Sequence, residues 1–162
     1  MKVVPIGEND WESLKDIRLE SLRDSPDAFG ITYEEAKELS AEKWKSIASG
    51  ESGLKFLLAR CNGDDIGLIG GVYADGEYEL VSMWVNPTNR GCGVGSSLVK
   101  ALLRHAQSEG FVNVVLNVSP TNEAACSLYS KIGFKALEEA GTLNGNSGKE
   151  LQKMAWHSAS EP

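Results

Sequence analysis

The sequence has little that would tie it to a membrane, a metal or an oxidising compartment. A membrane-spanning helix needs about 20 consecutive, mostly apolar residues, and no run in these 162 residues approaches that length. The N-terminal segment MKVVPIGEND lacks the apolar core of a secretory signal. Cys61, Cys92 and Cys126 are odd in number and lack the paired spacing of a disulfide framework or a zinc site. These absences predict a cytoplasmic protein with no metal and no membrane partner.

Positive charge is scarce and scattered. Lys and Arg number 16 against 23 Asp and Glu, the net charge is −7, and no cluster of basic residues occurs. Because binding to nucleic acid needs a basic patch, no nucleic-acid partner is expected. The acidic balance would steer a cationic small molecule toward the protein. Solubility is the simpler interpretation of the same charge, and both stay open.

A glycine-rich turn in residues 79–103, ELVSMWVNPTNRGCGVGSSLVKALL, carries most of the chemical information. An apolar strand over residues 80–85 precedes it, and a helix with strong apolar periodicity follows it. Gly91, Gly93 and Gly95 leave the backbone N–H groups of the turn bare. At a helix N-terminus such groups and the helix dipole together form an anion site, most often for phosphate. A tight turn that needs positive φ would also use glycine, so the trio alone leaves both interpretations open.

Two common phosphate-binding motifs fail here at a required position. A mononucleotide P-loop needs Lys directly after its last glycine, but Ser96 follows Gly95. A dinucleotide-binding fingerprint needs a third glycine where Ser96 stands, and an acidic residue about 20 positions later at the end of a parallel strand. The next apolar strand runs through residues 114–116 and ends without an acid. Neither motif therefore describes the turn.

A third pattern fits without departures. The loop Arg90-x-x-Gly93-x-Gly95, after a strand that ends at Val85, resembles the acyl-CoA pyrophosphate loop of the GCN5-related N-acetyltransferase (GNAT) superfamily. Downstream, residues 122–134, NEAACSLYSKIGF, are similar to the second coenzyme-contacting motif of that family. One helix and one strand separate the two motifs, and together they make the resemblance specific.

The order of predicted elements agrees with this resemblance. Apolar periodicity and turn signals, such as the hairpin turn at Asp75-Gly76, predict the order β-α-α-β-β-β-α-β-α-β-β. The resemblance is clear over residues 78–134 and rests on element order elsewhere. It implies the GNAT fold, an α/β (α+β) architecture in which about four helices flank a central mixed, mostly antiparallel sheet of about seven strands, splayed at the strand ending at Val85. With no internal repeat or linker, residues 1–162 are expected to form a single domain.

The resemblance implies a donor site for acetyl-CoA. The backbone of Met83, Trp84 and Val85 would contact the pantetheine arm, and the Val85 N–H would face the thioester carbonyl. Such an oxyanion donor is worth about 3 kcal/mol in the transition state. Asn122 matches the coenzyme-contacting asparagine of the family and also suits an N-cap, and the two roles are compatible. The pyrophosphate would be held by a loop that consists of Arg90, Gly91, Cys92, Gly93, Val94, Gly95 and Ser96.

Acetyl transfer to an amine also requires an acid and a base. Tyr129 occupies the position at which the tyrosine of the family lies near the sulfur, so the resemblance implies that it protonates the leaving thiolate. A phenol, with an ordinary pKa of about 10, carries its proton at neutral pH, although a tyrosine in this place could simply pack between helix and sheet. Glu79 is the candidate general base, with Glu77 or a chain of water as alternatives. Asn117 stands where some family members carry a glutamate.

The sequence indicates less about the acceptor of the acetyl group than about its donor. Phe29, Tyr33 and Trp44 lie in a polar helical region and would either line an acceptor pocket or belong to the core; Phe29 and Tyr33 are the candidate substrate-binding residues. The expected acceptor is a primary amine of a small molecule, a polyamine, an aminoglycoside or a peptide N-terminus. A non-catalytic acyl-CoA-binding regulatory module is the alternative function. Many family members form homodimers, so a second copy of the chain is a candidate partner.

Overall fold

The structure, a computed structural model, describes residues 1–25, 31–142 and 150–158. Within these ranges the chain forms seven strands and five α-helices, one helix more than the order of predicted elements contains. Their order is β1 (Lys2–Pro5), α1 (Trp11–Asp24), α2 (Tyr33–Lys37), α3 (Ala41–Ser49), β2 (Lys55–Cys61), β3 (Asp64–Ala74), β4 (Glu77–Val85), α4 (Val94–Ser108), β5 (Asn113–Val118), α5 (Glu123–Ile132), β6 (Lys135–Thr142) and β7 (Glu150–His157). The predicted mixed architecture of sheet and helices is confirmed.

Local sequence signals set several helix ends. Thr32 and Glu35 form a capping box at the start of α2, each side chain accepting a hydrogen bond from the backbone N–H of the other. Ser40 caps α3 by accepting a hydrogen bond of 3.1 Å from the Lys43 N–H. Gly50 ends that helix at a φ of 76°, a conformation that glycine adopts without a steric penalty. These caps satisfy backbone groups that a helix end otherwise leaves unpaired.

The strands form one sheet in the order β1-β2-β3-β4-β5-β7-β6. All neighbours are antiparallel except β4 and β5, which are parallel because α4 carries the chain across the sheet between them. β4 and β5 pair only at Tyr78 with Val114 and at Glu79 with Val115. Beyond these pairs the two strands separate, and residues 80–85 of β4 pair with β3 alone among the described strands. The predicted splay of β4 is confirmed.

A β-bulge in β4 changes which face of the sheet its side chains reach. Leu68 of β3 pairs with Trp84, whereas Gly70 pairs with Val81, so β4 advances three residues while β3 advances two. Ser82, within the bulge, has a φ of 56°. Because one extra residue reverses the alternation of side chains, the Trp84 side chain lies on the opposite face from the even-numbered residues before the bulge.

The sheet separates two hydrophobic clusters. On one face, α4 and α5 pack on the sheet, and the predicted apolar stripe of α4 is buried there, consisting of Val94, Leu98, Val99, Leu102, Leu103 and Ala106. On the other face, α1 and α3 pack their apolar side chains against β2, β3 and β4, and Trp44 is 2% exposed in this second core. Among the described helices, none combines the length and the hydropathy needed to cross a membrane.

We expect the substitution Gly71→Ala to destabilise the sheet. A methyl group at Gly71 would overlap the Tyr78 hydroxyl and lie 2.8 Å from two carbons of its ring. The ring has little room to move, because Tyr78 is 5% exposed and packs on Phe111. Overpacking of this kind lowers the free energy of unfolding by about 1–3 kcal/mol, which urea denaturation measures. Gly7→Ala is the matched control, since a methyl group there meets no atom within 4 Å. Equal unfolding midpoints for both variants would contradict this packing.

Candidate active site

The glycine-rich loop leaves a row of backbone N–H groups exposed. Gly91 has a φ of 81° and Gly93 a φ of 86°, a conformation that favours glycine. A side chain at either position would meet no atom within 4 Å, so the space above the loop is open. No side chain caps α4 at Gly93, and the first helical bond runs from the Ser97 N–H to the Gly93 carbonyl oxygen over 3.0 Å. The N–H groups of the first helical turn and the helix dipole therefore favour an anion at this end of α4.

Gly95 brings the start of α4 against α5 and β4. A methyl group at Gly95 would lie 3.2 Å from Cδ2 of Leu128 and 3.7 Å from Cε of Met83. A larger residue would push apart the N-terminus of α4, the open edge of β4 and the helix that carries Tyr129. Two motifs that lie far apart in the sequence are thus neighbours in space.

The end of β4 directs a backbone N–H into the gap between β4 and β5. The Asn86 N–H donates to the Ile66 carbonyl oxygen of β3 over 2.8 Å. Because successive residues of a strand turn their N–H and C=O groups to opposite edges, the backbone groups of Val85 face the side from which β5 has separated. The Val85 carbonyl oxygen accordingly accepts a hydrogen bond of 2.8 Å from Nε of Arg90, which lies outside the sheet. The Val85 N–H points to the same side.

Tyr129 belongs to the core that α4 and α5 form with the sheet. It is 6% exposed, and the Phe134 ring makes an edge contact with a distance of 5.7 Å between ring centroids. Burial, and after it the nearby Cys126, raises the pKa of Tyr129 to about 12. The phenol packs between helix and sheet and at the same time keeps its proton well above neutral pH. Packing and the requirement for an acid are therefore compatible at this residue.

Asn122, the first residue of the second motif, caps the start of α5. Its Oδ1 accepts a hydrogen bond of 3.2 Å from the Ala125 N–H. The capping role proposed from the sequence is thus present, and contact with a coenzyme stays a prediction. The same helix carries Tyr129, so the cap fixes the start of the element on which the candidate acid lies.

Glu79 lies at the last paired position before β4 and β5 separate, on the sheet face opposite to the α4–α5 core. Nδ2 of Asn117 on β5 donates to Oε2 of Glu79 over 3.2 Å, a contact across the mouth of the gap. Glu77, the alternative base, forms an ion pair of 2.9 Å with Lys153. The Glu77 carboxylate is therefore occupied, whereas Oε1 of Glu79 forms no hydrogen bond with a described residue. Glu79 is the better placed of the two carboxylates.

Asp24, the last residue of α1, is a part of the site that sequence patterns did not reveal. Its Oδ2 accepts hydrogen bonds of 2.9 Å from Nε1 of Trp84 and from Nη2 of Arg90. The bond from Trp84, followed by those from Ser25 and Arg90, holds the pKa of Asp24 below its ordinary value. Arg90, predicted to belong to the loop that holds the pyrophosphate, has its guanidinium bound to Asp24 and Val85. No local pattern indicates these contacts, because Asp24 precedes Trp84 by 60 residues and Arg90 by 66.

Comparison with known proteins decides the family. A family model described as the acetyltransferase (GNAT) family matches residues 11–134, which include the glycine-rich loop and the second motif. The chain belongs to the GNAT family. The resemblance that the two motifs indicated is confirmed.

Individual proteins agree with this assignment. The mycothiol acetyltransferase of Streptomyces avermitilis is 31% identical over 115 residues, which are 70% of this chain but only 35% of the length of that relative. A GNAT-family acetyltransferase from Streptococcus pneumoniae has a TM-score of 0.77 at 19% identity, over 96% of this chain and 98% of the other. An aminoglycoside 6′-N-acetyltransferase in complex with coenzyme A has a TM-score of 0.75 at 18% identity, over 100% and 99% of the two chains. These structures share the GNAT fold.

The acceptor side of the GNAT domain is described in part. Phe29 lies outside the described residues. Tyr33 begins α2 and packs against the α1–α3 core, and Nη2 of Arg23 donates a hydrogen bond to its hydroxyl. The Arg23 guanidinium also lies 4.9 Å from the centroid of the Tyr33 ring. A role for Tyr33 in binding an acceptor stays a prediction. In the described ranges, no group of three or more His, Cys, Asp or Glu side chains could hold a metal ion.

We expect the environment of Tyr129 to appear in a spectrophotometric titration. Burial raises the pKa of Tyr129 and of Tyr78 to about 12, whereas the ordinary value in an unfolded chain is about 10. Stability is therefore lost as the pH rises from about 10 toward 12, since the unfolded state releases these protons first. In Tyr129→Phe, the tyrosinate absorbance should lose one step near pH 12, and stability should fall less steeply with pH.

Tyr73→Phe is the control for this titration, because Tyr73 is 57% exposed. If the step missing from Tyr129→Phe instead lay near the ordinary pKa of about 10, the burial of the phenol described above would be wrong.

Proposed function

We propose that this protein is an acetyl-CoA-dependent N-acetyltransferase that transfers an acetyl group directly to a primary amine of a small molecule or of a peptide N-terminus. One observation carries the proposal: the bare N-terminus of α4, the open edge of β4 and the helix that bears the buried Tyr129 meet at Gly95. A thioester donor needs a grip on its phosphates, a hydrogen bond to its carbonyl oxygen and a proton for its thiolate. Membership of the GNAT family supports the same activity.

The donor suits a site made mainly of backbone. A pantetheine arm, which carries amide groups, would pair with the open edge of β4 at Met83, Trp84 and Val85 as an added strand does. Asn122, at the start of α5, would add a contact beside it. The absence of any described atom within 4 Å of a side chain at Gly91 or Gly93 supports close approach of a pyrophosphate to the loop. Its ligands would be the backbone N–H groups of Gly91, Cys92, Gly93, Val94, Gly95 and Ser96.

The proposed reaction forms one C–N bond and breaks one C–S bond. The lone pair of the amine attacks the thioester carbonyl carbon, while the Val85 N–H stabilises the charge that develops on the carbonyl oxygen, an interaction worth about 3 kcal/mol. Tyr129 gives its proton to the sulfur as the C–S bond breaks, and the nitrogen releases its extra proton to solvent to leave a neutral amide. Tyr129 regains a proton from solvent after the products leave. Burial raises the pKa of Tyr129 to about 12, and it would raise the basicity of a thiolate beside it as well, because both anions lose solvation.

Glu79 is the proposed general base. An amine is protonated in neutral solution and must lose a proton before its lone pair can attack. Glu79 lies at the mouth of the gap on the face opposite to the core that contains Tyr129. An acceptor would therefore reach the carbonyl carbon from one face of the sheet while the sulfur leaves toward the other. A chain of water molecules is the alternative base.

The net charge and one structural neighbour support the choice of acceptors to test. A net charge of −7 favours a cationic amine over an anionic one. The similar fold of an aminoglycoside 6′-N-acetyltransferase makes aminoglycosides the first acceptors to try. Phe29 and Tyr33 are the proposed contacts on this side.

A screen of primary amines that monitors free CoA tests the function, and Tyr129→Phe tests the acid. We expect the wild-type protein to consume acetyl-CoA with at least one amine, and Tyr129→Phe to lower kcat by about 10²–10⁴-fold, the usual contribution of a general acid. The dissociation constant for acetyl-CoA, measured by calorimetry, should stay unchanged because the hydroxyl acts only on the leaving group.

The exposed Tyr73 again supplies the control, and Tyr73→Phe should retain both binding and turnover. Acetyl-CoA binding without turnover of any amine would favour a regulatory acyl-CoA-binding module. Unchanged turnover of Tyr129→Phe at all pH values would remove this residue from the mechanism.

Glu79→Gln tests the base, because glutamine keeps a carbonyl oxygen for Asn117 but cannot accept the proton. We expect kcat/KM at neutral pH to fall about 10²-fold or more and to recover as the pH nears the pKa of the amine, where the acceptor arrives neutral. Glu77→Gln is the matched control, since it breaks only the ion pair with Lys153. A loss confined to Glu77→Gln would assign the base to Glu77, and no loss in either variant would assign it to water.

A further inference from the structure

One cluster of polar contacts joins three separate parts of the chain around the end of β4. This cluster, the strand clamp, consists of Asp24, Trp84, Arg90 and the carbonyl group of Val85. Oδ2 of Asp24 accepts hydrogen bonds of 2.9 Å from Nε1 of Trp84 and from Nη2 of Arg90. Nε of Arg90 donates a hydrogen bond of 2.8 Å to the Val85 carbonyl oxygen. The clamp therefore connects the last residue of α1, the last residues of β4 and the first residue of the glycine-rich loop.

The clamp holds the part of β4 that the sheet supports least. Past Glu79 the strand has no partner on the β5 side among the described residues, and a bulge with a φ of 56° at Ser82 interrupts its pairing with β3. On the β3 side, a hydrogen bond from the Asn86 N–H to the Ile66 carbonyl oxygen holds the end of β4. On the open side, a hydrogen bond from Arg90 to the Val85 carbonyl oxygen holds it. Without Arg90, the backbone of Val85 would have no described hydrogen bond on the edge that faces the gap.

The guanidinium of Arg90 is better suited to fixing the orientation of its hydrogen-bond acceptors than to supplying charge to a ligand. A guanidinium is a rigid planar fork whose donors bind two acceptors at a set angle, and here they bind one carboxylate oxygen and one carbonyl oxygen. The ion pair itself is partly open to solvent, with the Arg90 side chain 51% exposed, and such pairs contribute little by charge alone. Asp24 in turn is oriented by the indole of Trp84, which is 5% exposed and packed in the α1–α3 core.

We propose that Asp24 and Arg90 are positioning residues that hold the Val85 backbone so that its N–H faces the thioester carbonyl. This inference rests on the proposed acetyltransferase function and gives Arg90 a role other than that of a phosphate ligand. The guanidinium reaches the carbonyl of the same residue whose N–H faces the gap, so a shift of Arg90 moves the proposed oxyanion donor directly. Misplacing a reacting group by 1 Å costs about 10²-fold in rate.

The two roles of Arg90 predict different kinetic effects. If Arg90 is a phosphate ligand, its loss weakens binding of the donor, and Arg90→Lys has little effect because the positive charge is retained. Its loss then has no effect on a donor that lacks phosphate. If Arg90 is a positioning residue, its loss lowers kcat, and Arg90→Lys lowers kcat too because an ammonium lacks the planar pair of donors. The loss of kcat is then the same with every thioester donor. Asp24→Ala separates the roles further, because it releases the guanidinium of Arg90 while leaving its charge in place.

The test compares Asp24→Ala and Arg90→Lys with wild type, using acetyl-CoA and S-acetylpantetheine, which lacks the pyrophosphate, as donors. We expect kcat to fall about 10-fold to 10²-fold with both donors in both variants, with the Kd for CoA, measured by calorimetry, within about 2-fold of wild type. The double variant should lose no more than the worse single variant, because the two residues act through one contact chain. Asp16→Ala, which removes an exposed acid elsewhere on α1, is the matched control and should keep wild-type kcat.

A second measurement does not depend on turnover. In nitrogen-15 spectra recorded with bound CoA, the Val85 amide and the Trp84 indole resonances should shift in Asp24→Ala and in Arg90→Lys, and stay in place in Asp16→Ala. Thermal unfolding of each variant establishes that the domain remains folded under assay conditions.

The outcomes separate the possibilities. A weakened Kd for CoA together with wild-type kcat on S-acetylpantetheine would make Arg90 a phosphate ligand and overturn the proposal. Unchanged kcat with both donors, or an unmoved Val85 resonance, would overturn it as well. Failure of the proposed function looks different: the wild-type protein itself would release no CoA with any amine, and the Val85 and Trp84 resonances would then decide whether the clamp holds the strand.

Discussion

The separation of β4 from β5 after the pair Glu79–Val115 is the constraint on which the rest of the structure depends. A strand that loses its neighbour leaves N–H and C=O groups that must find partners elsewhere. On the β3 side the sheet supplies them, and on the open side Arg90 supplies one for the Val85 carbonyl. The remaining edge is a template for an extended ligand with amide groups of its own. α4 carries the chain over the sheet between these two strands, and its N-terminus lies beside the opening.

The two candidate catalytic side chains beside the opening, Tyr129 and Glu79, lie on opposite faces of the sheet. Tyr129 lies in the α4–α5 core, where burial keeps its proton in place, and Glu79 lies on the other face, where Asn117 holds one of its oxygens. The proposed acid and the proposed base therefore lie on opposite faces of the sheet. The bulge at Ser82 adds to this division, because it sends the Trp84 side chain to the face of α1 and brings Asp24 to the strand end.

Much of the fold was predictable from local patterns. The apolar stripe of α4, the capping box at Thr32 and Glu35, and the glycines of the loop each depend on residues within a few positions of one another. The GNAT resemblance rests on two such local patterns and proved specific enough to identify the family. Within the site, the space at the loop glycines is open and the phenol of Tyr129 is buried, while the roles of both toward a donor stay predictions. Acceptor contacts carry no comparable pattern, because aromatic residues such as Trp44 serve a core equally well.

Near neighbours along the sequence were enough to predict most elements, the glycine-rich turn and the family, since periodicity, capping and glycine conformation depend on residues close together in the chain. Tertiary structure alone decided how Arg90, Asp24 and Asn117 are used. Asp24 meets Arg90 across 66 residues and Asn117 meets Glu79 across 38, and such contacts exist only once the sheet has brought its strands into register. A side chain with several donors has no preferred partner until folding limits which acceptors lie within hydrogen-bonding distance. For this reason the motif identified Arg90 as part of the loop, while its partners became evident only in the folded chain.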